Sequence, residues 1–568
     1  MKNNKKLIIE NIALIFASII IGVVVSFVAQ IFILVAQNLF DLIFYNKNFS
    51  IILEFYQFEL NFLPLIICVP ASIMVGLLLY YSKLPRWFGP ADTIFSAHTK
   101  AGTLDLKGGF TSTIASLISV SGGASVGIYG PLVHFGATVS SFLRRLNFMP
   151  KIQHDIIIGS GVAAAISAGF GAPIAGIIFA DEIVLSHFSL KAIASIALSS
   201  ITANFFAYKL NLVEPPLLLN QIDFELSGVL LGLIIIGLLA SVIAIIFMTS
   251  MISISKLPNK FGFKPWTTPI IAGLLCGIIG LFLDEVLGLG TKTLIAIITE
   301  NLDVSLLILL LIFKLFLTSF CIGLGFFGGT FSPALFLGAT IGALVYNIDI
   351  LNFTENHLSV LALSGMAALS SSVIGAPITV IILVLELTGS YEYSIASIIP
   401  VAICSFITSR IFGNSFFDKQ LLSRGIDISK GREQIILNDV VIGNYARKDF
   451  IKLSKEMKVS EVVKLFLKKK ETEGYIILDK SIFIGKIRLI DIINKKDQKI
   501  ENFVQKKPLI LDYKLSLLNS IKKLSNFVGE SIPIIDKSNN KFVGVISEND
   551  ALSAYLEISD EINNIEKN

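Results

Sequence analysis

Long stretches of this sequence contain no Asp, Glu, Lys or Arg: 11–40, 60–82, 108–143, 156–180, 226–255, 265–283, 315–348, 357–385 and 393–409. A charge in hydrocarbon is costly, so runs of this length mark membrane-embedded material and exclude a water-soluble fold for the part that holds them. Cysteine is also scarce. The four thiols (Cys68, Cys276, Cys321, Cys404) lie in apolar segments without ligand-like spacing. They read as buried core residues, neither a disulfide framework nor a metal centre. Acids are absent from the two Gly-rich interruptions at 127–131 and 328–333. A hard divalent cation wants carboxylate oxygens, which argues against a cation path there. No nucleophile–base pair is visible, so an enzyme is not expected.

What is present is apolar: 54% of the 568 residues are hydrophobic, and the mean hydropathy is +0.77. The lipid bilayer is therefore the expected partner. Residues 431–568 carry 24 of the 46 Lys and Arg and 20 of the 42 Asp and Glu. Half of all formal charge thus sits in the last quarter of the chain, and two kinds of material are joined end to end. We expect an all-α polytopic membrane domain over 1–425, a linker over 426–440 and an α/β tail over 441–568. The opening Met1-Lys2-Asn3-Asn4-Lys5-Lys6 is basic and the tail is Lys-rich. Both termini are expected in the cytoplasm of a multi-pass cell-membrane protein. The first apolar run is too long for a signal peptide and lacks a cleavage site, so it reads as a retained helix. The net charge of +4 is local in origin and implies no nucleic-acid partner.

The membrane part repeats. The segment GVAAAISAGFGAPIAGIIFADE (161–182) matches GMAALSSSVIGAPITVIILVLE (365–386) at a constant offset. Upstream, GPLVHFGAT (130–138) matches SPALFLGAT (332–340). The halves run from about 60–205 and 225–412, and their Gly- and Pro-interrupted helices occupy corresponding positions. Broken helices are tolerated in a membrane where the backbone lines a protein-buried or watery path, and paired breaks point to a site between halves. The first turn of a helix leaves N–H groups without partners and carries partial positive charge. A Pro there removes no useful donor. Two such ends, built on Gly127 and Pro131 and on Gly329 and Pro333, would hold an anion with neutral dipoles. The same glycines also suit close helix packing.

These segments resemble the CLC family of chloride channels and transporters. GASVGIYGPLVHFGA (123–137) resembles the family's G-[KR]-E-G-P segment, and GGTFSPALFLGA (328–339) its G-x-F-x-P segment. FGPADTI (88–94) lies where G-S-G-I-P would be, and GNSFFDKQL (413–421) where the pore tyrosine would be. The resemblance implies two inverted-topology repeats of broken, tilted helices, a homodimer, chloride as substrate and no required cofactor. It implies an outer anion site on the amides of Ile128, Tyr129 and Gly130. A central site would take the amides of Thr330 and Phe331, with Pro90 (or Ala91) and Phe417 where the family has serine and tyrosine.

The departures bear on mechanism. The family's coupled exchangers carry a proton-handling glutamate where this chain has Tyr129, and a second, internal one where it has Ile183. A phenol ionises near pH ~10 and stays neutral at physiological pH. Tyr129 is thus expected as a gate that plugs by bulk or donates a hydrogen bond. Glu182, repeated at Glu386, reads as structural. Asp92 reads as a first-turn acid complementing a helix dipole. His134, one turn after Pro131, reads as a packed histidine. The expectation is passive anion flux uncoupled from protons. A coupled antiporter using displaced acids, or a conduit for fluoride, is the alternative.

In the tail, FIGKIRLIDI (483–492) and FVGVISENDA (542–551) share a hydrophobic-Gly-x₅-Asp spacing, which resembles a tandem CBS module. CBS pairs commonly bind adenine nucleotides. The resemblance carries a half-site onto Ser547 and Asp550. Asp491 is kept in the first repeat, but Arg488 stands where the hydroxyl would be. The competing reading is a tail that packs dimers together.

Overall fold

The computed structural model describes residues 2–45, 52–55, 58–99, 104–146, 153–185, 190–210, 224–351, 353–478, 481–495, 498–505, 508–525, 527 and 529–567. They fall into two compact units, Met1–Ile426 and Asp427–Asn568.

The first unit is almost wholly helical. Among the described residues six helical spans are long and apolar enough to cross a bilayer: Ile12–Phe44, Leu63–Ser82, Leu226–Phe261, Val304–Leu324, His357–Ile374 and Tyr391–Leu422. Lipid-facing side chains such as Phe16, Phe27, Leu231 and Ile312 are exposed, whereas Ala, Ser and Gly face other helices. Among the described residues one element departs from the all-α expectation. Ile52–Phe55 and Phe58–Asn61 pair as an antiparallel hairpin in register Ile52–Asn61 to Phe55–Phe58. This segment alternates apolar and polar residues (Leu53, Glu54, Phe55) and follows the end of the long first helix, so a strand period replaces the helical one.

The sequence repeat is a backbone repeat. Helix Leu106–Ser121 breaks before Tyr129–Arg144, as Val304–Leu324 breaks before Phe331–Tyr346. Helix His154–Phe170 breaks at Gly171 before Pro173–Phe179, as His357–Ile374 breaks at Gly375 before Pro377–Thr388. Both glycines take positive φ (66° and 78°), which an L side chain adopts only with strain. A Cβ on Gly136 would lie 2.4 Å from the Gly161 carbonyl oxygen, and one on Gly338 2.3 Å from that of Gly365. Each half thus packs its two central helices backbone against backbone, the arrangement small residues permit in lipid.

The repeated glutamates join the halves by a swap. Glu386 accepts hydrogen bonds from the amides of Ile174 (2.9 Å) and Ala175 (2.8 Å), at the start of the other half's Pro173–Phe179 helix. Glu182 accepts from Ile378 (3.2 Å), Thr379 N (2.9 Å) and Thr379 Oγ1 (2.7 Å), at the start of Pro377–Thr388. Each carboxylate satisfies first-turn donors and sits at the positive end of the partner helix. Glu386→Ala is expected to lower stability by about 1–3 kcal/mol, because partly buried amides lose a charged acceptor. Thermal unfolding of the purified protein reads this directly, and an unchanged midpoint would contradict it.

The second unit is a pair of similar α/β motifs. Lys452–Leu453 pairs parallel with Glu473–Ile477, which pairs antiparallel with Phe483–Arg488. Leu511–Asp512, Ile532–Asp536 and Lys541–Ile546 repeat this pattern, each with a bulge in the antiparallel pair. Tyr475, Phe483, Ile535 and Phe542 form a shared core between the two sheets. The segment expected as a linker over 426–440 is ordered: it contains helix Gly431–Asp439. Its Ile436 and Leu437 are buried in the core of the second motif, and that apolar pair is why it packs instead of hanging free.

Candidate functional site

The two Gly-rich breaks meet. Gly127 N–H donates to the Gly329 carbonyl (2.8 Å), and Gly329 N–H donates to that of Gly127 (2.6 Å). A Cβ on Gly329 would lie 2.5 Å from Gly130 N, and one on Gly130 2.7 Å from Gly329 Cα. Only glycine lets the segments approach this far. Helices Tyr129–Arg144 and Phe331–Tyr346 both start at this bridge. Their first backbone bonds are Leu132 N–H to Ile128 O (2.9 Å) and Ala334 N–H to Thr330 O (3.1 Å). The amides of Ile128 and Gly130, and those of Thr330, Phe331 and Ser332, precede these bonds, so the helix ladder does not use them. Pro131 and Pro333 fill the third position of each helix. Two positive helix ends are thereby held at one point.

Beside the bridge lies a cavity of about 20 Å³, room for one water-sized particle. Pro90, Tyr129, Gly130, Thr330, Phe331 and Phe417 line it, with further apolar residues. Six of the residues expected around the ion are thus brought together. Ile128 is fully buried and is not among the lining side chains. Gly127 and Gly329 form the bridge itself. Pro90 starts helix Pro90–His98 and has no N–H, so it supplies an apolar ring and no donor. Phe417 is buried on the short helix Phe416–Leu422, whose N-cap Ser415 accepts from the Asp418 amide (3.0 Å).

Tyr129 forms part of the cavity wall. Its ring stacks on Phe170 with centroids 3.6 Å apart at 17°, and stands edge-on to Phe331 at 6.1 Å. Phe170 is in turn edge-on to Phe331 at 5.4 Å. The cavity shares Pro90, Gly130, Thr330 and Phe417 with a vestibule of about 520 Å³. Three cations line that vestibule: Arg86, Lys256 and Arg424. Its acid, Asp92, caps its own helix by accepting from Gly89 N–H (3.0 Å) and also binds Arg86 (2.8 Å to Oδ2) and Arg424 (3.1 Å). Two guanidiniums on one carboxylate leave a net positive entrance, which raises the local concentration of anions. His134 is buried and its Nδ1 hydrogen-bonds the Thr93 hydroxyl at 2.8 Å. Ile183 is buried in the π-helical turn Ala180–Leu185.

Two participants are not apparent from the motifs alone. Phe170, the last residue before the Gly171 break, supplies the face on which Tyr129 stacks. The hydroxyl of Thr330 is buried and has no hydrogen-bond partner among the described residues. Its signal in sequence is the hydroxyl residue inside GGTFSP, although only its main chain matters to the motif.

In the tail, Ser547 and Asp550 cap helix Glu548–Lys567 reciprocally: Asp550 Oδ2 accepts from Ser547 N (2.8 Å) and Oγ (2.7 Å). Arg447 Nε also meets Asp550 at 2.9 Å. Asp491 is held by Arg488, at 2.9 and 3.0 Å. Both candidate ribose-binding carboxylates are therefore engaged with arginines.

Comparison with known proteins agrees with this architecture. A family model described as voltage gated chloride channel matches residues 71–410, and a CBS domain model matches 500–557. The chain is 30% identical over 331 residues to the H(+)/Cl(-) exchange transporter ClcA of Vibrio parahaemolyticus serotype O3:K6, covering 56% of this chain and 69% of that one. It is also 30% identical over 331 residues to chloride channel protein CLC-e of Arabidopsis thaliana, covering 53% of this chain and 46% of that one. The solved structure of a eukaryotic CLC transporter superposes with a TM-score of 0.63 at 16% identity, covering 95% of this chain and 98% of that one. At that identity the likeness concerns the fold.

Proposed function

Because the chain belongs to the voltage gated chloride channel family, whose activity is anion transport, we propose that it is a passive, chloride-selective conduit in which anion flux is uncoupled from protons. The observation that carries this reading is the small cavity at two joined helix N-termini, with no carboxylate among the described residues of its wall. Neutral dipoles attract an anion without binding it so tightly that it cannot leave. Tyr129 occupies the place where a coupled exchanger has its proton-handling acid, and Ile183 the internal one. Glu182 is occupied as a helix cap, which supports its reading as structural. The names of the relatives include both an exchange transporter and a channel, so coupling has to be decided on this chain's own residues.

In this reading the anion enters from the Arg86, Lys256 and Arg424 vestibule, rests on the Thr330 and Phe331 amides, then passes the amides of Ile128, Tyr129 and Gly130 when the Tyr129 ring moves aside. Both termini are cytoplasmic, and the protein works as a homodimer with one path in each subunit. For the tail, the arginine-bound Asp491 and Asp550 favour a packing role. An adenine nucleotide would have to displace Arg447 or Arg488 first.

The test is simultaneous chloride and proton flux in liposomes. A chloride gradient should dissipate without driving protons against their own gradient. Stoichiometric proton pumping would overturn the reading, and loss of that pumping in Asp181→Asn would then identify a displaced acid.

A further inference from the structure

Thr330 is the N-cap of helix Phe331–Tyr346, yet its side chain makes no capping hydrogen bond. A threonine at this position ordinarily bonds the amide of the second or third helical residue. Here the third is Pro333, which has no N–H, and Thr330 takes helical torsions (φ −86°, ψ −15°) instead of the extended ones of a capping residue, so its hydroxyl does not reach the Ser332 amide either. The hydroxyl is not released to solvent: Thr330 is 4% exposed, and Oγ1 has no partner among the described residues. A buried hydroxyl left unsatisfied costs free energy, so an acceptor is wanted. Thr330 lines both the one-particle cavity and the vestibule, at the junction an ion must cross. The other residues at that junction are Pro90, Gly130 and Phe417, and none carries a polar side chain. The neighbouring Ser332 Oγ is buried and unpartnered too, but it packs against Gly127 (a Cβ there would lie 2.5 Å from it) and does not line the cavity.

We propose that the Thr330 hydroxyl is the side-chain donor that sets selectivity among the monovalent anions this site takes. The inference rests on the anion-conduit reading above. An O–H group rewards compact, strongly accepting anions such as chloride more than diffuse ones such as thiocyanate. With no Lys, Arg or His on the cavity wall, nothing there compensates a second negative charge, so sulfate and hydrogenphosphate dianions are excluded.

The test compares wild type with Thr330→Val, which keeps the shape and loses the hydroxyl, Thr330→Ser, which keeps the hydroxyl, and Ser332→Ala. Chloride affinity is read by calorimetry on purified protein, and chloride against thiocyanate flux in liposomes. T330V is expected to bind chloride roughly tenfold more weakly, as for a lost hydrogen bond to a charged group, and to shift relative flux toward thiocyanate. T330S and S332A should stay near wild type in both readouts. Unchanged chloride affinity in T330V, as if Oγ1 only held a structural water, would overturn the inference while leaving anion conduction intact. So would a T330S protein as weak as T330V, or measurable sulfate flux in wild type. Should T330V not fold, T330S against wild type on the thiocyanate ratio still decides: a ratio moved as far as thiocyanate preference overturns it. A wild type that passes no anion would instead sink the conduit reading itself.

Discussion

Alanine in place of Tyr129 is expected to raise chloride flux roughly tenfold, because in the proposed conduit it removes the ring that swings aside for each passage. The ring is held by its stack on Phe170 and its edge contact with Phe331. Aromatic pairs of this kind contribute about 0.5–1.5 kcal/mol beyond their buried area. About 1.4 kcal/mol of barrier corresponds to a factor of ten in rate. Tyr129→Phe keeps the bulk and the stack, so it should conduct like wild type if the ring acts by size alone. Flux in the Tyr129→Phe variant as high as in the alanine variant would instead assign the role to the hydroxyl. Chloride efflux from liposomes at matched protein density measures all three. A Tyr129→Ala protein no faster than wild type would remove the plug from the account.

Gly329→Ala should have the opposite and larger effect: loss of flux by at least about a hundredfold, or failure to assemble. The added Cβ would lie 2.5 Å from Gly130 N, which is backbone and cannot rotate away. Relief requires the two breaks to separate, and the paired Gly127–Gly329 hydrogen bonds are then lost. Overpacking costs about 1–3 kcal/mol, and each buried backbone group left unpaired adds about 1–3 kcal/mol. Those terms together exceed the ~2.7 kcal/mol that a hundredfold change represents. Gly228→Ala serves as the internal control. Among the described residues its Cβ would meet only His357 Cε1, at 3.8 Å, an ordinary contact. The comparison is made by size-exclusion profile and flux side by side. A well-folded Gly329→Ala protein that conducts normally would show that the bridge is incidental.

How much of this was legible from residues alone follows from range. Uncharged runs announce lipid, and a Gly-Ala-Pro-Ile motif written twice announces two halves with matching breaks, because backbone torsion is a local property. The family segments also singled out Tyr129, Thr330 and Phe331, which the fold brings to the wall of one cavity. A helix N-terminus is likewise local, and so are the amides it leaves unused. The tail's two motifs could be read from a repeated glycine and aspartate for the same reason, although the segment at 426–440, expected to be a linker, contributes Ile436 and Leu437 to a core whose other members lie far along the chain.

By itself, then, the sequence determined the solvent, the duplication, the break points and the chemical types around the cavity where the breaks meet. Tertiary structure alone decided which breaks touch, that Glu182 and Glu386 cap each other's half, that Phe170 stacks on Tyr129, and that the Thr330 hydroxyl finds no partner among the described residues. Each of these joins positions distant in the chain, or rests on what surrounds a side chain in three dimensions. Hydrogen bonds, ring stacks and steric limits act over a few ångströms of space and take no account of separation along the backbone, so only the folded arrangement could reveal them.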